Sequence, residues 1–515
     1  MRFLDLFENS FHVLFPELFL AGVTTVLLLF GAICSTSKAH GYPLLLENVT
    51  CVALLSIVCA FFLTFHMPFF AELAFFKTFI VDEFTTALKC MILLSAASSL
   101  LMSTEYLKTT AINAFEYAIL VLFSTISMLL MVSSYDLISM YLAIEMQSLC
   151  FYVLAAAKRQ SEFSTEAGLK YFLLGAFSSG ILLFGCSLVY GSTGTTNLED
   201  IAQCLVGFST TQEHVHVSLL HIGVFLLSIG FLFKLTAAPF HFWAPDVYEG
   251  APTSVTAFFA IVPKIAILGM FLRLLFLSFY DIFASWKCLL LFCSVSSLLI
   301  GAFGAMAQKK IKRLLVYSSI GHVGFLLMGL CCGTVDGLQA VLLYLIIYTV
   351  MTVNVFAAVL SCTDHTGMHR MKYSQDLGLL AQTNGVLAFT LSCTLFSMSG
   401  IPPLAGFSGK FHLFQAVMMD ALLLPLAVIG VLSSVLSCFY YIRLIKIMYF
   451  EQPSQKVTYQ AIDREKATLL GLTTFFIVFF FWFPESIVMW TKTIALSLVP
   501  GGEQYYLGGF LRLWW

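Results

Sequence analysis

Apolar runs about 20 residues long, each closed by a few polar or charged positions, repeat from one end of the chain to the other. A helix of that length crosses a hydrocarbon layer roughly 30 Å thick. By this ruler the pattern predicts about fourteen spans. The first six cover residues 11–34, 44–65, 79–103, 114–132, 137–157 and 167–190, and a polar loop, 191–215, follows. The seventh lies around Lys234. The next four cover 254–277, 288–307, 314–332 and 338–360. The twelfth begins near Leu377, meets Pro402-Pro403 and resumes through GFSGKFHLFQAV; the last two cover 422–441 and 467–490. The third is the least regular, because Asp82, Glu83 and Lys89 interrupt it, and their role stays open.

Two spans break the pattern in related ways. The seventh carries Lys234 in its apolar run, with Pro239 and Pro245 just after it. The twelfth carries Lys410, with prolines just before it. Proline removes a backbone donor and clashes with the preceding turn, so both helices should break. Broken backbone at membrane depth survives only where protein or a wet cavity surrounds it. The two spans are five apart in the count. Five is odd, so the second stands upside down relative to the first, as in inverted-repeat transporters. The expected fold class is an all-α polytopic membrane protein with about 14 transmembrane helices, two inverted five-helix repeats and broken helices 7 and 12. The expected divisions are 1–110 for helices 1–3, 111–280 for the first repeat, 281–450 for the second, and 451–515 for helix 14 and the tail.

Loop charge gives the orientation. Loops from an odd span to the next even one hold about fifteen Lys and Arg, among them Lys158-Arg159, the cluster Lys309, Lys310, Lys312 and Arg313, and Arg443, Lys446, Lys456, Arg464 and Lys466; the other loops hold about two. Positive loops stay on the side of synthesis, so these are expected to face cytoplasm or matrix, with both termini on the far side. The N-terminal stretch reads as a retained helix rather than a signal peptide, since Asp5 and Glu8 stand where a basic cluster would be.

Composition agrees. The chain is 60% hydrophobic and 10% charged, with a mean hydropathy of +0.93, whereas soluble domains carry about 25% charged residues. A net charge of -2 argues against nucleic acid as a partner. The 14 cysteines are scattered with no CxxC pair and read as small buried hydrophobes rather than metal or cluster ligands. The absence of GxGxxG and GxxxxGK[ST] speaks against nucleotide binding.

The chemistry lies in the ionisable groups that fall inside apolar runs. They are Glu145, Lys234, Lys264 and Lys410, with His322 in YSSIGHVGF as a fifth candidate and His241, beside Phe240 and Trp243, as a possible lining of the cavity at the break. An ammonium in hydrocarbon costs roughly +2.5 to +3.5 kcal/mol on insertion scales, so it marks a functional site by default. Burial disfavours the charged form of either group, while an opposite charge favours it, so a Glu–Lys pair at depth is bistable. A row of such groups is a proton relay; the alternative is a salt bridge that ties helices together. His214, His216 and His221 lack an acid that would complete a metal site. His365 and His369 read as solvated loop residues, and Lys170 as a side chain that snorkels to the surface.

Four long motifs, KLTAAPFHFWAPDVYEGAPTSVTAFFAIVPK, KYFLLGAFSSGILLFGCSLVYG, KRLLVYSSIGHVGF and SMSGIPPLAGFSGKF, resemble the antiporter-like subunits of proton-pumping NADH:quinone oxidoreductase, respiratory complex I, over nearly the whole chain. DVYEGAP and a lysine on span twelve point to the smallest of the three antiporter-like types, and no long amphipathic helix follows span fourteen as in the distal type. The resemblance implies that Glu145 is the span-five glutamate paired with Lys234, that Lys264 is the connecting lysine, that Lys410 exchanges protons with one surface, and that His322 is a polar link. It implies no redox centre or cofactor in this chain, with NAD, FMN, iron–sulfur clusters and ubiquinone in partner subunits. Partners would be neighbouring membrane-arm subunits, including an adjacent antiporter-like one and small membrane subunits, together with lipids. The place would be the mitochondrial inner membrane, basic loops to the matrix and termini to the intermembrane space; no presequence is evident. A subunit of a multi-chain sodium/proton antiporter, a chloroplast or bacterial homologue, and a scaffold that no longer transports remain as other readings.

Overall fold

The computed structural model describes residues 11–41, 45–67, 72–110, 115–208, 214–362, 371–451 and 462–498. Its apolar runs fold as helices because within a helix every backbone donor and acceptor is satisfied without water. In chain order these are α1 (Phe15–Ser35), α2 (Leu46–Phe65), α3 (Glu83–Thr109), α4 (Glu116–Ser133), α5 (Leu137–Ala155), α6 (Glu162–Thr193) and α7 (Leu198–Phe208). There follow α8 (His214–Lys234), α9 (Trp243–Gly250), α10 (Thr253–Arg273), α11 (Phe283–Met306), α12 (Ile311–Leu330) and α13 (Val335–Ser361). The last are α14 (Leu380–Thr383), α15 (Gly385–Ser399), α16 (Ala405–Met418), α17 (Leu424–Phe450), α18 (Arg464–Phe479) and α19 (Glu485–Leu498). Among the described residues, 11 helices are long and apolar enough to cross a membrane, and Ser218–Lys234 and Gly385–Ser399 are shorter apolar helices.

Polar side chains inside these helices are spent locally. Ser99 donates to Ala96 O at 2.7 Å, Ser103 to Leu100 O at 2.8 Å and Thr125 to Leu122 O at 2.7 Å. Such back-bonding lets a hydroxyl sit at depth without an external partner. The start of α3 is capped: Asp82 accepts from Thr85 N while Thr85 Oγ1 accepts from Asp82 N, both at 2.8 Å. Close helix crossings use glycine. A Cβ on Gly301 of α11 would collide with the backbone of Gly321 in α12, and one on Gly185 of α6 would meet Leu227 N in α8.

The helices sort by burial. The apolar window of α10 is 100% buried and that of α13 89%, against 22% for α1 and 33% for α17. α10, α12 and α13 form the middle of the bundle; α1, α6 and α17 present large apolar side chains outward.

Three expected elements differ. The third span begins later, because Phe79–Val81 pairs antiparallel with Glu72–Ala74 as a short ribbon before the Asp82 cap starts α3. The polar loop 191–215 contains the amphipathic α7. The last span, read as one helix over 467–490, is divided into α18 and α19 by a turn ahead of Pro484, as expected where proline excludes the helical conformation from the residue before it. His365 and His369 lie outside the described residues, as do the side chains of His214 and His216.

Candidate functional site: a buried row of amines

Two helix ends lie close to the prolines of the seventh and twelfth apolar runs. α8 stops at Lys234, and α9 starts nine residues on, past Thr236 with φ 64° and Pro239. The free end of α8 is covered by Trp243, whose indole donates to Phe233 O at 3.1 Å and stacks on Tyr171 at 4.6 Å. α15 stops at Ser399 on Gly400, whose φ of 88° is open to glycine at little cost. Gly400 N and Ile401 N both return to Phe396 O at 3.2 Å, closing the helix before Pro402. α16 then carries Lys410 back toward that end.

Each lysine meets a different surrounding. Lys410 is buried and donates to Met398 O at 2.9 Å and Ser399 O at 3.0 Å, the free carbonyls of the α15 C-terminus. Those carbonyls carry the negative end of the helix dipole, which suits a cation. Its ammonium also lies 5.1 Å from the centre of the Phe325 ring. Lys264, buried in the middle of α10 beside Pro263, donates to Tyr348 Oη at 2.8 Å and lies 5.0 Å from that ring's centre. Lys234 is half-buried and lines a cavity together with Lys264, Gln147, Ser148 and Tyr248.

His322 is buried on α12 between two phenols, with Nδ1 2.6 Å from Tyr344 Oη and Nε2 3.2 Å from Tyr441 Oη. One cavity beside it is lined by Tyr248, Tyr348 and Ser319; another is lined by Tyr441, Ser318 and Lys410. The amines and the imidazole therefore lie along three small neighbouring cavities, with Tyr248 common to the first two and His322 to the last two.

Two expected members stand apart. Among the described residues Glu145 forms no ion pair with Lys234; its Oε2 accepts from Ser148 Oγ at 3.4 Å, and Oε1 is buried with no hydrogen-bond partner among those residues. Glu145 projects from the α5 turn that sends Ile144, Gln147 and Ser148 into the Lys234 cavity, which brings it near but not into contact. His241 sits between α8 and α9, buried, its ring 4.8 Å from that of Phe242 and its Nδ1 without a hydrogen-bond partner among the described residues; it is not among the lining of the three cavities. Among the described residues no group of three or more His, Cys, Asp or Glu could hold a metal.

The phenols of Tyr344, Tyr348 and Tyr441 were not singled out in the sequence. A signal existed: Tyr344 and Tyr348 are four apart in one apolar run and so share a helix face.

The remaining charges of the third span are paired. Arg273 reaches both oxygens of Asp82 at 2.9 and 2.6 Å, and Lys89 meets Glu17 at 2.5 Å with both side chains about 3% exposed. Lys170 pairs with Glu166 at 2.7 Å and Asp246 at 3.3 Å instead of merely reaching out to water.

A bundle of helices long and apolar enough to cross a membrane, with lysines buried among them, defines a polytopic membrane protein of transporter-like build. A family model described as NADH:quinone oxidoreductase/Mrp antiporter, transmembrane, matches residues 134–437. The chain is 54% identical over 494 residues to NADH-ubiquinone oxidoreductase chain 2 of Marchantia polymorpha, covering 96% of this chain and 100% of that one. In solved structures it resembles a chain of respiratory complex I from Thermus thermophilus, with TM-score 0.76, 27% identity and 92% and 98% coverage of the two chains. A chain of the Mrp complex from Dietzia shares the fold at TM-score 0.79 with 19% identity, over 96% and 99%. The chain belongs to the NADH:quinone oxidoreductase/Mrp antiporter transmembrane family.

Proposed function

We propose that this chain is a proton-translocating, antiporter-like subunit in the membrane arm of a respiratory NADH:ubiquinone oxidoreductase. The observation that carries the reading is the row Lys234, Lys264, His322 and Lys410 at membrane depth, in which the resolved hydrogen bonds of Lys264 and Lys410 go to neutral oxygens. A buried amine beside a neutral acceptor can hold or release a proton without leaving a bare carboxylate behind. Glu145, unpaired at Oε1, is placed to bias Lys234 through the field of its charge. NADH oxidation and quinone reduction occur elsewhere in the complex, and NAD, FMN, iron–sulfur clusters and ubiquinone belong to partner subunits. The neighbours are other membrane-arm subunits and lipid.

In this reading the chain holds fourteen spans. Residues 111–280 and 281–450 are two inverted five-helix repeats, α8–α9 and α15–α16 their broken helices, and 1–110 and 451–515 flanking helices. The protein lies in the mitochondrial inner membrane with its basic loops toward the matrix and its termini in the intermembrane space. Plant mitochondrial relatives and the loop charge support this placement.

In sealed vesicles containing the complex, Lys264→Met or Lys410→Met should slow coupled turnover by on the order of 10²-fold or more, the range for losing a proton-transfer group, and lower proton transfer per electron. Normal stoichiometry in both would overturn the reading. The family's Mrp branch favours a second one, sodium/proton exchange. Exchange driven by a sodium gradient, with no NADH oxidation copurifying, would select it.

A further inference from the structure

The turn between α18 and α19, residues 480–484, stands level with the buried amines. Asn354 of α13 donates to Thr473 Oγ1 of α18 at 2.7 Å, and Gln339 of α13 donates to Val488 O of α19 at 3.1 Å. Residues 339 and 354 are 15 apart, and so are 473 and 488, so α18 and α19 follow α13 in the opposite direction with matched spacing. The turn therefore lies opposite residues 343–347 of α13, next to Tyr348, which takes the hydrogen bond of Lys264. At 1.5 Å per residue that is at least about 12 Å from either end of α13.

Nothing about this turn suits a lipid surface. Phe480 N reaches Phe476 O at 2.9 Å, Trp482 N reaches Phe479 O at 3.1 Å and Val488 N reaches Pro484 O at 3.0 Å, while the carbonyls of Phe481, Trp482 and Phe483 accept no hydrogen bond from the described residues. Hydrocarbon offers such groups no partner. The side chains turn away from the rest of the chain: Trp482 is 72% exposed and Phe483 75%. Beside them the first residue of α19, Glu485, is exposed and has no ion pair among the described residues. Three free carbonyls and a carboxylate thus face outward together.

Resting on the reading of this chain as a membrane-arm subunit, we propose that the turn is a docking surface for a transmembrane helix of a partner subunit that carries a lysine or arginine midway along its apolar run. The occupant follows from the chemistry. Lipid tails bring neither charge nor donor, and a phospholipid phosphate would meet Glu485 with the wrong sign. A cation on a partner helix supplies both needs: a charge for Glu485 and N–H groups for the three carbonyls, three from a lysine or five from an arginine. Charges inside a membrane persist where they pair with one another or with backbone carbonyls, and this turn offers both. Trp482 and Phe483 belong to the aromatic types enriched at protein interfaces, and their ring faces attract a cation.

In the intact complex, p-benzoylphenylalanine in place of Trp482 should, on illumination, join this chain to one membrane-spanning subunit. Mass spectrometry of the joined peptides should place the link in an apolar run that contains a lysine or arginine. Glu485→Gln keeps the size of the side chain and removes its charge, and the same subunit should then leave the complex in mild detergent roughly tenfold faster or more. Replacing the partner's cation by methionine in the Glu485→Gln background should restore much of the hold, which a loss of packing alone would not do. Cross-links to phospholipid alone, to residues 499–515 of this chain, or to a helix without a cation would overturn the proposal, as would an unchanged dissociation rate in Glu485→Gln. If the cross-link forms as expected in an assembly that does not oxidise NADH, the complex I reading fails and the docking surface stands.

Discussion

Two sets of buried or half-buried cations occupy this protein, and they differ in what they touch. In the row at the centre, Lys264 bonds a phenol and Lys410 bonds two backbone carbonyls. At the edges, cations bond carboxylates. Lys89 meets Glu17, and Arg273 meets Asp82. Around α9, Arg313 holds Asp246 at 2.6 Å and Glu249 at 2.5 Å, with Lys310 also on Glu249. A carboxylate in contact fixes the proton on its cation by direct Coulomb attraction. A neutral oxygen orients the amine with a much weaker hold on its charge. The partner's charge therefore separates the two sets, and in the proposed reading the groups that lock helices together from those that exchange protons; burial alone does not, since Lys89 is as deeply buried as Lys264. Within the basic cluster 309–313, Arg313 and Lys310 are, once folded, paired with the Asp246 and Glu249 carboxylates of α9.

The largest effect that would test this division is at Lys89. Lys89→Met leaves Glu17 buried, and neither Glu17 oxygen has another hydrogen-bond partner among the described residues. Breaking a buried pair from one side costs about 3–5 kcal/mol, and replacing both members by apolar residues restores much of it. The thermal midpoint of the detergent-solubilised complex should drop in Lys89→Met and recover in Lys89→Met with Glu17→Leu. Protons moved per electron, counted per assembled complex, should be unchanged in both. A stoichiometry that falls in the double variant would place Lys89 among the proton carriers and break the comparison.

A smaller effect sharpens the other side. Gly406 N donates to Ser397 Oγ at 2.9 Å, and a Cβ on Gly406 would collide with the Ser397 carbonyl, so α16 starts pressed against the last turn of α15. Gly406→Ala must push α16 away, at about 1–3 kcal/mol for such overpacking. It also draws Lys410 off the Met398 and Ser399 carbonyls. The expected result is a lowered thermal midpoint together with reduced pumping, unlike Lys89→Met. Loss of stability with full pumping would mean that these carbonyls do not position the amine.

How much of this was legible follows from what each residue contrasts with. Lys234, Lys264 and Lys410 stand out because charge is rare within apolar runs, and Pro239 and Pro402 mark the breaks beside two of them. Tyr348 and Tyr441 do not stand out. A tyrosine is mostly hydrophobic ring, and only the fold shows which hydroxyls face an amine and which face lipid headgroups. The expected contact between Glu145 and Lys234 required a side-chain direction that a midspan position does not specify. Asp82 and Lys89 looked like defects in one span because their partners, Arg273 and Glu17, lie on other helices. The turn before Pro484 was signalled by the proline, but a long apolar run on both sides outweighed it.

The smallest effect lies at the surface, where the same rule should hold weakly. Asp420, between α16 and α17, accepts from Lys287 Nζ and from Leu422 N, both at 3.0 Å. The Lys287 hydrogen bond, followed by that amide, holds the Asp420 carboxyl below its usual range. A lowered folded pKa means the stabilisation is complete above the ordinary carboxylate value, about pH 4, and is lost as pH falls through the lowered one. Asp420→Asn should therefore sit slightly below wild type in thermal midpoint at pH 7, and the gap should close as pH falls below about 4. Salt should narrow it too, since exposed pairs are screened. A gap that persists unchanged in acid would show that the aspartate acts through something other than its charge. The contrast with Lys264, whose partner has no charge to titrate near pH 4, would then have to rest on the buried pairs alone.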